Sequence, residues 1–229
     1  MLRNFAAALD SRARFPRLRL VALAVAASLL LVGCEGKINA RLDNSIGLTT
    51  YENIGLIERQ PIGVGLVLDK ELRAAATEVR TRNLRYRMPV GAALGARLMT
   101  ALALKFDRVQ LLETPQFPAN APLDTVMIVT LKGLDASVSI SSRWNTVATE
   151  SSGWIEIEAI LKDRQNQIVW IGTSRAEAEA AEESIAFAGA QDASAAMNQA
   201  IEKTVARLVA QMAQSGSLRD FIATRTASR

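Results

Sequence analysis

Hydrophobic residues recur every three to four positions in two long stretches of the chain, and each stretch predicts an amphipathic helix. The first begins at Pro89; the second runs from Ala193 to Ala213 and ends before Gly216. Because each helix has one apolar face, both are expected to pack on one sheet. Their apolar positions are Val90, Leu94, Leu98, Leu102 and Phe106, and then Met197, Ile201, Val205, Leu208 and Met212.

Alternating and branched residues elsewhere predict the strands of that sheet. The strands at 123–131 and 134–142 are expected to meet near Gly133, and the polar residues 163–167 to form the turn of the clearest hairpin. The alanine- and glutamate-rich stretch 174–185 is expected to be a helix or a mobile excursion. The predicted strands cover 61–68, 78–87, 109–112, 123–131, 134–142, 154–162 and 168–173.

The order of these elements predicts an α+β fold. The order is strand, strand, helix, strand, hairpin, hairpin, helix, and each helix has one apolar stripe that can lie against one face of a sheet. The expected architecture is a two-layer sandwich, with a mainly antiparallel sheet and both amphipathic helices on one face. In the first helix, Gly91 and Gly95 lie one turn apart and are expected to allow close approach of a neighbouring element.

A different pattern marks the N-terminus, where five arginines precede an apolar run of 13 residues, Leu20 to Val32. A helix of that length rises only about 20 Å against a hydrocarbon core of about 30 Å, which argues against a membrane span. A basic region followed by a short apolar run is typical of a secretory signal. An ordinary cleaved signal should end in an Ala-x-Ala-like site, which Leu31-Val32-Gly33 does not provide.

Cys34 is the only cysteine of the chain and directly follows this run. The four residues Leu31-Val32-Gly33-Cys34 resemble the lipobox of bacterial lipoproteins. The resemblance implies cleavage by signal peptidase II before Cys34, and lipidation of Cys34 with diacylglycerol and an N-acyl chain. A redox or metal role for this cysteine is disfavoured because the chain has no histidine and no second cysteine. In the lipoproteins of enterobacteria that this motif resembles, aspartate after the cysteine favours retention at the inner membrane, so the resemblance implies that Glu35 favours the outer membrane.

Processing at Cys34 divides the chain into four predicted parts. These are a signal peptide (1–33), a lipidated N-terminus with a short tether (34–54), a single periplasmic α+β domain (55–215) and a polar C-terminal tail (216–229). Five of the 27 basic residues but only one of the 23 acidic residues precede Cys34, so the remaining chain has no formal net charge. That balance disfavours nucleic acid as a partner. The expected partners are the membrane, through the lipid anchor, and an envelope protein.

Catalytic and metal-binding motifs are not found in the sequence. Without histidine there is no Ser-His-Asp triad, no Cys-His pair and no histidine metal site, and we expect neither an enzyme nor a cofactor. Glu156 and Glu158 lie at strand spacing on one face, and a general acid would require one of them to be buried. On the polar face of an amphipathic strand they are expected to be solvated.

Arg80, Arg82, Arg85 and Arg87 form a cluster of positive charges that is interleaved with Leu84 and Tyr86. In a single strand, Arg80 and Arg82 would share one face and Arg85 and Arg87 the other. Arginine suits phosphate, which makes these residues candidates for contact with anionic lipid or a partner protein. The alternative is a charged edge strand that prevents aggregation.

The lipobox and the element order over 61–213 resemble a group of small Gram-negative envelope lipoproteins. The group includes YajG-type lipoproteins, the PqiC-like auxiliary lipoproteins of ABC-type lipid transport and LptE-like lipopolysaccharide-assembly lipoproteins. The resemblance implies a non-catalytic accessory or assembly factor of an envelope transport or secretion complex. The alternative is a periplasmic scaffold or activator of cell-wall synthesis enzymes. Such factors need a long linker to cross the periplasm, so the short tether favours the first role.

Overall fold

A computed structural model describes residues 36–81, 84–119, 121–143, 146–183 and 189–227, and shows the α+β fold that the sequence predicts. The strands of this described part are β1 (Gly36–Asn39), β2 (Gln60–Leu68), β3 (Thr77–Thr81), β4 (Leu84–Met88), β5 (Phe106–Leu112), β6 (Thr125–Arg143), β7 (Thr146–Asp163) and β8 (Ile168–Glu183). Its helices are α1 (Leu48–Gly55), α2 (Lys70–Ala74), α3 (Val90–Lys105), α4 (Gly189–Gln214) and α5 (Gly216–Ala227).

The larger of two sheets has the strand order β5-β2-β6-β7-β8. Its long ladders, β6 with β7 and β7 with β8, are antiparallel, so the sheet is mainly antiparallel as predicted. The exception is β2, which pairs in parallel with both β5 and β6. A parallel pair requires a crossover, and α2, β3, β4 and α3 lie between β2 and β5 in the chain.

Both faces of β2 are covered, which explains its continuous apolar run. Every residue from Ile62 to Leu68 is buried. Val64 and Leu66 belong to the main core, whereas Val67 packs with Leu123 and Val126 in a smaller apolar cluster on the other face of the sheet. A strand buried on both sides loses the alternation of a half-exposed strand.

The two predicted helices form the second layer of the sandwich. Helix α4 packs on β7 and β8, and α3 packs on α4 and β5. The glycines of α3 permit the predicted close contacts, since a Cβ atom at Gly95 would lie 2.7 Å from Leu68 Cδ1. The apolar face predicted for α3 includes Phe106. This residue is instead the first residue of β5, and it is buried.

Two expectations about the long strands β6 and β8 are wrong. Residues 125–143 form one strand, not two strands that meet near Gly133, and only a register shift between Leu131 and Gly133 marks the site. The Trp154 ring covers Gly133, so the glycine accommodates a neighbouring side chain instead of a turn. Residues 174–183 continue β8 and form neither a helix nor an excursion, because Ser174, Ala176 and Ala178 alternate as buried positions.

The stretch predicted as one strand, 78–87, is a hairpin. Strands β3 and β4 pair antiparallel and, with β1, form a second sheet in the order β1-β4-β3. Residues 82 and 83, between these two strands in the chain, lie outside the described residues. Arg82 is therefore outside the described part of the predicted arginine group.

Ordered elements also lie at both ends of the predicted domain. A tether is predicted within 34–54. Strand β1 and all but the last residue of helix α1 lie in this range, and Leu42 between them is part of the core. The amide of Asp43 donates to Asn198 Oδ1 of α4 at 3.0 Å. At the other end, residues 216–227, predicted as a polar tail, form α5, which buries Leu218 and Ile222.

Candidate functional site: an arginine face beside the first strand

The register of β3 and β4 places three arginines on one face of the small sheet. Arg80 lies directly opposite Arg85, and Glu78 lies opposite Arg87. Side chains directly opposite each other share a face, and this face is the one away from the buried Val79 and Met88. The expectation that Arg80 is on the opposite face from Arg85 and Arg87 is therefore wrong, since the hairpin returns the chain and reunites them.

A groove of about 530 Å³ extends this arginine face toward the first strand. Arg87 and Arg73 line it together with Asn39, the last residue of β1, and its walls are Pro89 and alanines 74, 75, 76 and 92. Arg73 lies in the last turn of α2. We refer to Arg73, Arg80, Arg85 and Arg87, with this groove, as the arginine face.

Local structure fixes Arg73 in this position. Asp69 is the N-cap of α2 and accepts a hydrogen bond from the Leu72 amide at 2.5 Å. At the other end of α2, the amide of Gly91 donates to Ala75 O at 2.9 Å, which ties α2 to the start of α3. Hydrogen bonds at both ends of α2 therefore hold the backbone that borders the groove.

The electrostatics of the arginine face favour an anionic ligand. Arg80 lies directly opposite Arg85, so two cationic side chains are neighbours on this face. Glu78 is the carboxylate opposite Arg87 in the register. Planar guanidinium groups form paired hydrogen bonds with phosphate or carboxylate oxygens, so the arrangement can bind lipid phosphates or an acidic protein surface.

The glutamates considered for acid–base chemistry are paired with cations. Glu158 Oε1 lies 2.9 Å from Lys132 Nζ, and Glu156 Oε2 lies 3.6 Å from Arg175 Nη1. Both glutamates are on the outer face of the large sheet and are partly exposed. Among the described residues no cluster of three or more potential ligands could hold a metal ion.

The two tryptophans of the hairpin pack against the sheet. Trp170 is buried in the main core. Trp154 lies on the outer face, where it covers Gly133, and the Arg175 guanidinium carbon lies 4.4 Å from its ring centroid. Both rings therefore pack against other residues of this chain.

Sequence reasoning did not identify Arg73 or two buried cations, Arg97 and Lys105. Arg97 is 1% exposed and Lys105 is 3% exposed. Their spacing from Leu94, Leu98 and Leu102 places them on the apolar side of α3, and this spacing in the sequence indicates that both are buried. Arg73 carried no such signal, because its position depends on the contact between α2 and α3.

None of the described helices is long and apolar enough to cross a bilayer.

No protein-family model and no curated protein sequence matches this chain. Among solved structures, the chain is similar to a neuraminyllactose-binding hemagglutinin homologue from Helicobacter pylori, with 12% identity, a TM-score of 0.48, and 82% of this chain and 100% of that chain covered. It is similar to the DUF330-family protein XCC0632 from Xanthomonas campestris, with 10% identity, a TM-score of 0.42, and 84% and 99% covered. A minor lipoprotein from Acinetobacter baumannii shares 11% identity, with a TM-score of 0.38 and 68% and 93% covered.

Proposed function

We propose that this chain is a lipid-anchored, non-catalytic lipoprotein of the Gram-negative envelope. In this proposal Cys34 carries the lipid, and the protein is an accessory or assembly factor of an envelope transport or secretion complex. The observation that carries the proposal is the lipobox-like sequence ending at Cys34, followed two residues later by the ordered strand β1. The lipobox and the element order, which resemble those of YajG-type, PqiC-like and LptE-like lipoproteins, support the same role.

The short connection between Cys34 and β1 determines how the anchored domain would be held. Two residues of extended chain span at most about 7 Å, so a lipidated Cys34 would keep β1 beside the bilayer surface. This is much shorter than the lipidated N-terminus and tether expected over 34–54. A factor that reaches cell-wall enzymes across the periplasm needs a long linker, so the connection favours partners at the same membrane.

The arginine face suits this orientation because it begins at β1. Asn39 lines the groove that contains Arg73 and Arg87, and Ala40 N donates to Arg87 O at 2.9 Å. In the anchored protein we expect the arginines to contact the phosphates of anionic headgroups. Such contacts would orient the domain and leave the large sheet and the helices free for a partner protein.

Metabolic labelling tests the lipid anchor. The wild type should incorporate a palmitate analogue, and it should accumulate as an unprocessed precursor when signal peptidase II is inhibited. Cys34→Ser should lose the label, and any membrane binding that remains should be released by high salt, as expected for electrostatic attachment without a lipid anchor. Labelling of Cys34→Ser at the wild-type level, or cleavage that is insensitive to the inhibitor, would show that Cys34 is not the attachment site.

Membrane fractionation and crosslinking test the location and role. Glu35 favours the outer membrane, so the labelled protein should sediment with outer-membrane markers. Crosslinking in intact envelopes, followed by pull-down and mass spectrometry, should recover components of a transport or secretion complex. Recovery of peptidoglycan synthases instead would favour the scaffold role and contradict the proposed one.

A further inference from the structure

Three isoleucines form a row across the outer face of the large sheet, opposite to the helices. Ile128 of β6 lies directly opposite Ile160 of β7, which in turn lies directly opposite Ile171 of β8. Residues directly opposite each other share a face. Their chain neighbours Met127 and Leu161 are buried in the main core, so the row points away from that core. We call Ile128, Ile160 and Ile171 the isoleucine row.

The isoleucine row is open to solvent. Ile171 is 56% exposed, whereas Ile128 and Ile160 are partly buried by their neighbours. Ile168, which lies opposite Lys162 in the register, adds an apolar side chain that is 59% exposed. Scattered apolar residues are normal at a protein surface, but a contiguous apolar group rimmed by polar residues marks an interaction surface.

Charged residues of opposite sign flank the row at equal distances. On β7, Glu158 lies two residues before Ile160 and Lys162 lies two residues after it, so all three share the outer face. Glu158 Oε1 is paired with Lys132 at 2.9 Å, and no ion pair of Lys162 is found among the described residues. The charge pattern of β7 therefore inverts about Ile160.

This inverted pattern is complementary to itself. When two copies stack outer face on outer face with their β7 strands antiparallel, Ile160 meets Ile160, and each Lys162 meets Glu158 of the second copy. The two-fold axis then runs across the strands at the isoleucine row. An axis along the strands would instead place Lys162 against Lys162 and Glu158 against Glu158, which like-charge repulsion disfavours.

We propose that the isoleucine row is the contact of a symmetric homodimer. The two rows pack against each other and remove apolar surface from water. Two reciprocal pairs of Lys162 with Glu158 flank this apolar centre, in the way that a polar rim surrounds the centre of other interfaces. The inference concerns a different surface from the arginine face and does not depend on the proposed function.

The position of the row indicates a weak dimer. Ile160 lies only three residues before the end of β7, so the two sheets overlap only near the hairpin. Such a contact buries less than the roughly 1,200–2,000 Å² of stable complexes, and we expect a dissociation constant of roughly 10–100 µM. Lipid and a different protein are the other possible occupants, and the self-complementary charges favour a second copy over both.

Sedimentation equilibrium and methyl NMR of the full-length protein in zwitterionic detergent micelles test the dimer. A density-matched concentration series should show reversible association from monomer to dimer. The Ile171 methyl signal should shift over the same range of protein concentration. The signal of Ile157, which is buried in the main core on the other face of β7, should not shift. Neither signal should depend on the micelle concentration at a fixed protein concentration.

Charge reversal tests the pairing of the two copies. Glu158→Lys and Lys162→Glu should each weaken association about fivefold to thirtyfold, because each variant brings like charges together twice in the dimer. The double variant Glu158→Lys/Lys162→Glu exchanges the charges and should associate within about threefold of the wild type. The two positions lie about 13 Å apart in one chain, and the double variant still lacks the ion pair with Lys132, so the recovery can arise only between copies.

A matched pair of apolar substitutions tests the row itself. Ile171 and Leu111 are both 56% exposed, and they lie on the two edge strands of the large sheet, β8 and β5. Ile171→Thr should weaken association at least about threefold, since the residue enters the contact twice, whereas Leu111→Thr should leave it unchanged. Both side chains are exposed, so we expect both variants to fold.

Each of four results would overturn the proposal. A monomer at all protein concentrations up to about 1 mM would leave the row to a different protein. An Ile171 shift that follows the micelle concentration would assign the row to lipid. A double charge variant that associates no better than the single variants, or equal weakening by Ile171→Thr and Leu111→Thr, would show that the copies meet at another surface.

Discussion

Gly91 lies so close to Leu72 that a methyl group on its α carbon would overlap the Leu72 carbonyl oxygen. The neighbouring Arg73 carbonyl oxygen would be 2.9 Å from the same added carbon. Both obstacles are backbone atoms, which cannot move without displacing α2 from α3. The absence of a side chain at this position is therefore what allows Arg73 to reach the groove beside Arg87.

Substitution of Gly91 by alanine should destabilise the protein. We expect Gly91→Ala to lower the free energy of unfolding by about 1–3 kcal/mol, because the backbone must shift to admit the methyl group. The matched control is Gly55→Ala in α1, where nothing lies within 4 Å of the added carbon. That variant should change stability by less than about 1 kcal/mol. Urea denaturation of both proteins measures the difference, and equal effects would contradict the packing argument.

Arg97 should stabilise the junction of α3 and α4. Its guanidinium donates to Asn198 O at 2.6 Å and to Asn198 Oδ1 at 2.9 Å, and the Asn198 side chain also accepts from the Asp43 amide. We expect Arg97→Ala to lower the free energy of unfolding by about 2–4 kcal/mol, through the loss of buried packing and of two charged hydrogen bonds.

Two further variants examine this junction. Arg97→Lys should not restore stability, because a single ammonium group lacks the forked geometry that reaches both oxygens. Arg108→Ala removes an exposed arginine of β5 and should stay within about 0.5 kcal/mol of the wild type. A loss of stability in Arg108→Ala as large as that in Arg97→Ala would indicate a general effect of charge.

Lys105 should make stability depend on pH in the alkaline range. Burial lowers the pKa of Lys105 below its ordinary value of 10.5, and attraction to Glu58 opposes the shift only in part. Between the folded pKa and 10.5 the unfolded chain binds more protons, so the free energy of unfolding rises with pH in that window. Below the folded pKa the destabilisation caused by the buried charge is fully present.

Unfolding measurements across this window test the assignment. The wild type should gain stability relative to Lys105→Met as the pH rises toward 10.5. The control Lys203→Met, at an exposed position of α4, should follow the wild type at every pH. A constant difference between the wild type and Lys105→Met would show that Lys105 does not titrate differently in the folded and unfolded states.

The arginine face should bind anionic vesicles without help from the lipid anchor. In a Cys34→Ser background, Arg80→Gln/Arg87→Gln should weaken binding to phosphatidylglycerol vesicles by about 2 kcal/mol, or roughly thirtyfold. The double variant Arg108→Gln/Lys203→Gln removes the same charge from exposed positions elsewhere and should have a much smaller effect. Equal weakening by both variants, measured by vesicle sedimentation at several salt concentrations, would exclude a specific arginine face.

The sequence predicts the helices and the fold class well because their signals are local and repeated. The four-residue spacing of Leu94, Leu98 and Leu102 is enough to define α3, and the burial of these residues confirms it. Gly133 does not reliably predict a turn, because a glycine can mark either a turn or a site where another side chain packs. Only the register with β7 shows that Trp154 covers it.

The candidate site could be predicted in part. The arginines of β3 and β4 are evident in the sequence, but their common face depends on a hairpin that alternation alone does not reveal. The burial of Leu42 could not be predicted for a similar reason, since it is a single apolar residue in a polar stretch and its burial depends on distant residues. Arg73 joins the site only through the fit of Gly91 against α2.

The position of β1 also has a mechanical consequence. This strand has four residues, lies at the edge of the small sheet and pairs there with β4. A pulling force applied to the chain before residue 36 would load this short ladder first, while the long ladders of β6, β7 and β8 remained unloaded. Under tension we therefore expect β1 to detach before the core opens. Its release would lengthen the chain between the core and the point where the force acts, while the core stays folded.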